Sequence, residues 1–310
     1  MQQLEPTQIR YVKLGQNGAW LSRCIAEGVI ELGYDSVPHE LAAAGDWATI
    51  TKQMIEADGR SAGKATSFTR EVRDFYTLGS DALWVTIGQG RLWWAFADPE
   101  VIAVDEDGRG ARARKTLGGW SDQSLSGERL ELSRLSTRLT KVAAYQQTIC
   151  RVGDEDYLLR RLNGVVEPVV QRARAAQAEM VTSALDMIRR LDWRDFELLV
   201  DLIFAGSGWR RSSAVGGSSQ ADTDLILEQA VTGERAFVQV KSSASAATLR
   251  DYVQRFADDP SFDRLFFLCH SPGGALAAPE DPRIQVWLGP QIAEQAVKAG
   301  LLEWLIEKVR

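Results

Sequence analysis

Late in the chain, Asp224 opens a short apolar run, Leu225-Ile-Leu227, and after a turn at Thr232-Gly233 the chain returns as Phe237-Val-Gln-Val-Lys241. Two such segments on either side of a tight turn predict a β-hairpin, and hairpin register decides which side chains can meet. Strand alternation puts Gln239 and Lys241 on one face and Val238 and Val240 on the other. Asp224 is in phase with Ile226 and Glu228, so adjacent strands bring it beside Gln239 and Lys241. The strands are expected over 223–228 and 236–242. A helix follows near Ala247 to Phe256, then strands at Arg264–Cys269 and Arg283–Leu288, then helical segments from Gln291 onward. Upstream, Trp193 to Phe204 predicts a helix capped by Asp192 and ended by Gly206-Ser-Gly208. Its apolar stripe is Phe196, Leu199 and Ile203, and Glu197 and Asp201 lie one turn apart on a neighbouring face. The alternation that follows the hairpin predicts a compact α/β/α domain.

At 310 residues the chain exceeds what one core usually serves, and two domains are expected. The expected division is 1–160, a helical linker at 161–190, and 191–310. The first part predicts an α+β domain. Its strands are at Ile9–Leu14, Val29–Leu32, Ala82–Ile87 and Arg91–Ala97, the last two joined by Gly88-Gln-Gly90. Helices are expected near Ala19–Glu27, over Trp47–Ala57 with Asp46 as cap, over Thr69–Tyr76, and through Leu132, Leu135, Leu139 and Val142. The basic stretch Arg109, Arg112, Arg114 and Lys115 is flanked by glycines. It reads as a loop, either simply solvated or contacting phosphates.

Composition narrows the class. Three scattered cysteines, Cys24, Cys150 and Cys269, and two histidines, His39 and His270, supply neither a disulfide framework nor a conventional zinc cluster. No apolar stretch reaches the length of a membrane span, and the first 25 residues lack the pattern of a secretory signal, which predicts a cytoplasmic protein without a membrane partner. A formal charge of -6 argues against a uniformly basic surface but allows a local basic channel.

The hairpin suggests a chemistry. A hard divalent ion such as Mg²⁺ or Mn²⁺ takes oxygen ligands, which Asp224, the Gln239 amide and a main-chain carbonyl near Val240 could supply. Such an ion would polarise a phosphodiester; Lys241 would orient water or offset phosphate charge, and Glu197 would hold a water or a second ion. The same spacing also describes exposed strand residues, a turn cap at Asp224 and a solvated Glu197. Gly216-Gly217-Ser218-Ser219 ahead of the acid would permit close backbone approach to DNA, as would any surface loop of that composition. Asp222 is the weaker ligand candidate, because Asp224 directly precedes the apolar strand.

Residues roughly 190 to 275 resemble the Mrr-type branch of the PD-(D/E)xK nuclease superfamily. The resemblance lies in Phe196-Glu197, Gly216-Gly217, Asp224-Leu-Ile-Leu227 and Gln239-Val-Lys241, in that order. It implies a restriction-endonuclease-like fold and Mg²⁺- or Mn²⁺-dependent hydrolysis of double-stranded DNA. Glu197, Asp224, Gln239 and Lys241 would be catalytic, and Asp224 and Gln239 would be metal ligands. Glutamine at 239, where the superfamily more often has an acid, is usual in this branch. Leucine replaces the glycine that often follows the acid and tightens the space beside Asp224.

Residues about 9 to 104 resemble PUA-like or EVE-like domains. The likeness comprises an opening strand, a Trp-containing helix, a strand ending at Gly33-Tyr34, the pair Phe75-Tyr76, and Gly79-Ser-Asp81 before a tryptophan-bearing strand. It implies a pocket for a modified base flipped from its stack. Trp20, Trp47, Trp84 and Trp93 are candidates for stacking, Asp46 and Asp81 for reading the base edge, and Arg112, Arg114 and Lys115 for phosphate contact. Core packing is the competing reading for each tryptophan, and His39 and Cys269 read as structural. The expectation is a modification-sensitive restriction or defence nuclease acting as a homodimer or higher assembly. The alternatives are a repair or branched-DNA nuclease, an inactive DNA-binding protein, and a structural protein with an inherited nuclease fold.

Overall fold

The computed structural model describes residues 3–34, 36–104, 111–212 and 224–310. Arg109, Gly216 to Ser219 and Asp222, singled out above, lie outside the described residues. The chain divides into two compact units, Met1–Glu167 and Pro168–Arg310.

In the first unit, β1 (Gln8–Val12), α1 (Leu21–Glu27) and β2 (Val29–Gly33) are followed by α2 (His39–Ala43), α3 (Trp47–Glu56) and α4 (Ala62–Thr77). Then come β3 (Ala82–Gly88), β4 (Arg91–Ala97), β5 (Ile102–Val104), β6 (Ala111–Ser121), α5 (Thr137–Thr140), β7 (Ile149–Arg151) and α6 (Glu155–Asn163). Among the described residues the sheet has seven strands, in the order β2-β6-β4-β3-β1-β7 with β5 on β6. Only β1 and β3 run parallel; the remaining pairings are antiparallel. One sheet face packs Trp84, Val12, Ile30 and Leu32 beneath Phe75, Val72 and Met54. The other packs Ile9, Tyr11, Leu83 and Val85 against Leu139, Leu158 and Leu162.

Three expectations for this unit change. The helix expected at Thr69–Tyr76 begins at Ala62, and the one expected through Leu132 to Val142 breaks into 3₁₀ turns around the single turn of α5. Spacing in that stretch reported burial, not continuous helix. The basic stretch is strand rather than loop: Arg112, Arg114 and Lys115 all belong to β6. Arg112 and Arg114 are two residues apart and so point to the same side, and both are buried.

The second unit runs α7 (Pro168–Ile188), α8 (Trp193–Gly206), β8 (Trp209–Arg211), β9 (Leu225–Gln229), β10 (Arg235–Lys241) and α9 (Ala246–Asp258). It ends with β11 (Arg264–Cys269), β12 (Ile284–Leu288), α10 (Gly289–Lys298) and α11 (Leu302–Val309). Ala184 and Ile188 of α7, the expected linking helix, are buried in this unit's core. The strand order is β12-β11-β10-β9-β8. The β9–β10 hairpin is antiparallel, whereas β10–β11 and β11–β12 are parallel. Alternation assigns Val238, Val240 and Leu268 to a core with Phe196, Val200 and Phe204 of α8 and Ile292 of α10. Phe237, Leu265 and Phe267 face Leu249, Tyr252 and Phe256 of α9. Helices therefore cover both faces of the sheet. Asp192 caps α8 by accepting from the Arg194 N–H, as its position before Trp193 predicts. Among the described residues, no helix is long and apolar enough to cross a membrane.

Candidate functional site

In the β9–β10 register Leu225 faces Val238 and Ile226 faces Phe237. One step further along the ladder, Asp224 meets Gln239. Asp224 Oδ2 accepts from Gln239 Nε2 and, at 2.7 Å, from the Val240 N–H. Lys241 Nζ lies 4.0 Å from the same carboxylate oxygen. Gln239 is wholly buried in mid-sheet, and among the described residues no donor reaches its Oε1. Its amide turns nitrogen toward Asp224, where a second oxygen would be repelled; a cation shared with Asp224 would draw the amide oxygen round instead. Strand geometry thus joins three of the four expected site residues.

The fourth, Glu197, stands on the first turns of α8 beside the buried Phe196. Its carboxyl is raised above the ordinary glutamate range, first by burial and then by the negative charge of Asp224, while Lys241 opposes the shift. Glu197 therefore lies within the electrostatic reach of both Asp224 and Lys241. His270 follows β11, buried, with its ring 4.7 Å edge-on from Phe196, and burial lowers its pKa. Cys269 is buried core.

The donor set fits a hard divalent ion. It offers the Asp224 carboxylate and a buried amide oxygen that no donor reaches among the described residues. Among the described residues no group of three or more His, Cys, Asp or Glu forms a metal-ligating cluster, so amide and main-chain oxygens and water would complete the coordination.

The first unit holds a cavity of about 480 Å³ lined by Lys13, Gly15, Gln16, Asn17, Trp20, Gly33, Gln146 and Thr148. Trp20 is wedged between two glycines: a Cβ at Gly15 or at Gly33 would come within 2.7 Å of its ring. Behind Gly33 and Thr148, the buried Glu71 accepts from the Tyr34 hydroxyl at 2.9 Å and from the Thr148 and Ile149 N–H groups at 2.9 and 3.1 Å. Lys13, Gln146 and Thr148 had no sequence signal, because they join Trp20 only through the pairing of β1 with β7.

The other base-contact candidates fare differently. Trp84 is fully buried against Phe75, so it is core rather than a stacking platform. Trp47 packs edge-on to Tyr76, and Trp93 donates to the Gly88 carbonyl at 3.3 Å; neither lines the cavity. Asp46 caps α3 through the Thr49 N–H, and His39 meets the Tyr76 hydroxyl at 2.9 Å. Arg112 and Arg114 are corrected from phosphate contacts to internal braces. Arg112 donates to the carbonyls of Tyr34 and Val37, and Arg114 to those of Asp98, Phe75 and Ala97. Lys115 alone of the three is exposed.

A twisted sheet covered on both faces by helices, with acid, amide and lysine converging beside one strand, defines a restriction-endonuclease-like second unit. Residues 188–261 match the family model Mrr_cat, described as a restriction endonuclease, so this stretch of the chain is Mrr-like. The match contains Glu197, Asp224, Gln239 and Lys241. No curated protein matches the chain. Among solved structures, the chain is similar to MspJI restriction endonuclease in complex with a 27-mer oligonucleotide, at 10% identity and a TM-score of 0.31, covering 92% of this chain and 75% of that one. A likeness at that score bears on neither fold nor function.

Proposed function

We propose that the chain is a divalent-metal-dependent DNA endonuclease, and that its target is duplex DNA carrying a modified base. The observation that carries the reading is the meeting of Asp224, Gln239 and Lys241 at one hairpin, with Glu197 electrostatically coupled to them, inside the matched domain.

Asp224 and Gln239 would hold Mg²⁺ or Mn²⁺, which when bound polarises the scissile phosphate and acidifies water. Lys241 carries a donor-only head group within 4.0 Å of the Asp224 carboxylate. Its part is to offset charge developing on the phosphate oxygens. Glu197 suits proton acceptance from the attacking water, because its raised pKa brings a carboxylate closer to neutral pH. Val240 N–H orients the Asp224 carboxylate.

The cavity around Trp20 supports the selective half of the reading. It offers one aromatic surface with amides and a hydroxyl at its rim, the chemistry that holds a flipped base. Cutting both strands calls for two active sites, hence a homodimer or higher assembly. The biological role in this reading is cytoplasmic restriction of invading DNA. A repair nuclease would use the same hydrolytic residues on branched duplexes.

The test compares unmodified, cytosine-modified and branched duplexes with Mg²⁺ or Mn²⁺, using wild type and Lys241→Ala. Metal-dependent cutting of the modified duplex, lost in the variant, is expected. Cutting of branched DNA alone would move the reading to repair, and no cutting of any duplex would leave a binding protein.

A further inference from the structure

Lys241 ends β10, and its long flexible side chain must be held if its charge is to act at one place. Its approach to Asp224, at 4.0 Å, is too long for a hydrogen bond, and that carboxylate oxygen already accepts from Gln239 and Val240.

The ammonium has a second neighbour. Nζ lies over the ring of Tyr252, 5.6 Å from its centroid, within the range at which the negative face of an aromatic ring attracts a cation. Tyr252 is on α9, against the sheet face that carries Phe237 and Phe267. Those two rings fix it, with centroids 6.0 and 5.9 Å away. The Arg255 guanidinium lies 5.1 Å from the same centroid, so the ring already gathers two cations. A rigid aromatic surface set into the core thus supports one side of the Lys241 head group.

We propose that Tyr252 is a positioning residue for Lys241: its ring face holds the ammonium beside Asp224 through a cation–π contact. The inference rests on the reading of Lys241 as a catalytic group. It requires the ring and not the hydroxyl, and it separates this tyrosine from Phe256 on the same helix, whose ring faces the Arg283 guanidinium at 5.3 Å rather than Lys241.

The test has two independent readouts. In single-turnover cleavage of the preferred duplex at saturating metal, Tyr252→Phe should stay within about twofold of wild type, whereas Tyr252→Leu should lose about tenfold with unchanged duplex affinity. Pentafluorophenylalanine at position 252 keeps the shape and inverts the ring's charge distribution, so it should lose as much as Leu even if the Leu variant folds poorly. The second readout needs no cleavage. The Lys241 ε-methylene protons, assigned in NMR spectra by Lys241→Arg, should show a ring-current shift in wild type and Tyr252→Phe that disappears in Tyr252→Leu. Absence of that shift in wild type overturns the proposal, as does full activity of the pentafluorophenylalanine protein. A ring-current shift in a protein that cuts no duplex would retain the contact and reject the nuclease reading instead.

Discussion

At the scale of single residues, the four hydrolytic candidates divide between those whose neighbours follow from strand arithmetic and one whose environment does not. Asp224, Gln239 and Lys241 meet because alternation and register are local rules. Lys241→Ala should lower the cleavage rate about 100-fold or more, the scale on which a charge-stabilising donor acts, with little change in melting temperature; single-turnover kinetics and calorimetry check both. Glu197 owes its raised pKa to burial and to Asp224, neither visible from its place on a helix. A carboxyl whose folded pKa exceeds its unfolded value contributes stability below the unfolded pKa and loses it as pH rises through the folded one. In EDTA, Glu197→Gln should melt close to wild type near about pH 4 and above wild type near about pH 8. Equal melting temperatures at both values would show that the fold does not raise the Glu197 pKa.

At the scale of elements, β6 is the informative case. Arg112-Ala-Arg114 looks like a charged loop by composition, yet it is a strand with both guanidinium groups turned inward. Each meets backbone carbonyls at the ends of elements and in loops. Burial drives the Arg114 pKa down to about 10, the cost of dehydrating the cation. Arg114→Leu removes donors from the carbonyls of Asp98, Phe75 and Ala97 and should destabilise the protein by about 3 kcal/mol or more. Lys115→Ala, on the same strand but exposed, should change stability by less than about 0.5 kcal/mol. Urea unfolding of the two variants discriminates a brace from a phosphate contact. The period-two spacing of the arginines, with alanine between them, was the signal for a strand. A charge count conceals it.

At the scale of the molecule, the proposed function assigns cutting to one unit and selection to the other, so the two should separate by mutation. Trp20→Ala removes the only aromatic side chain lining the cavity among the described residues. It should reduce discrimination between modified and unmodified duplex about tenfold or more, the scale of lost base stacking, while hydrolysis directed by Lys241 continues. Competition cleavage of the two duplexes in one tube measures this ratio directly. An unchanged ratio would reject the Trp20 cavity as the base reader without touching the hydrolytic site.

The sequence by itself determined the hairpin, its facing residues, the cap at Asp192 and the α/β/α order of the second unit. These depend on interactions between near neighbours, and turn residues, caps and the two-residue period report such interactions faithfully. Tertiary structure alone decided which tryptophan borders a cavity, which arginines turn inward, and that Tyr252 on α9 stands over Lys241. Trp20, Trp47, Trp84 and Trp93 carry the same chemistry in sequence. What separates them is which strand or helix is laid across each ring, and that follows from long-range strand pairing and from core packing, in which shape and the need to satisfy buried carbonyls outweigh the preference of any single residue.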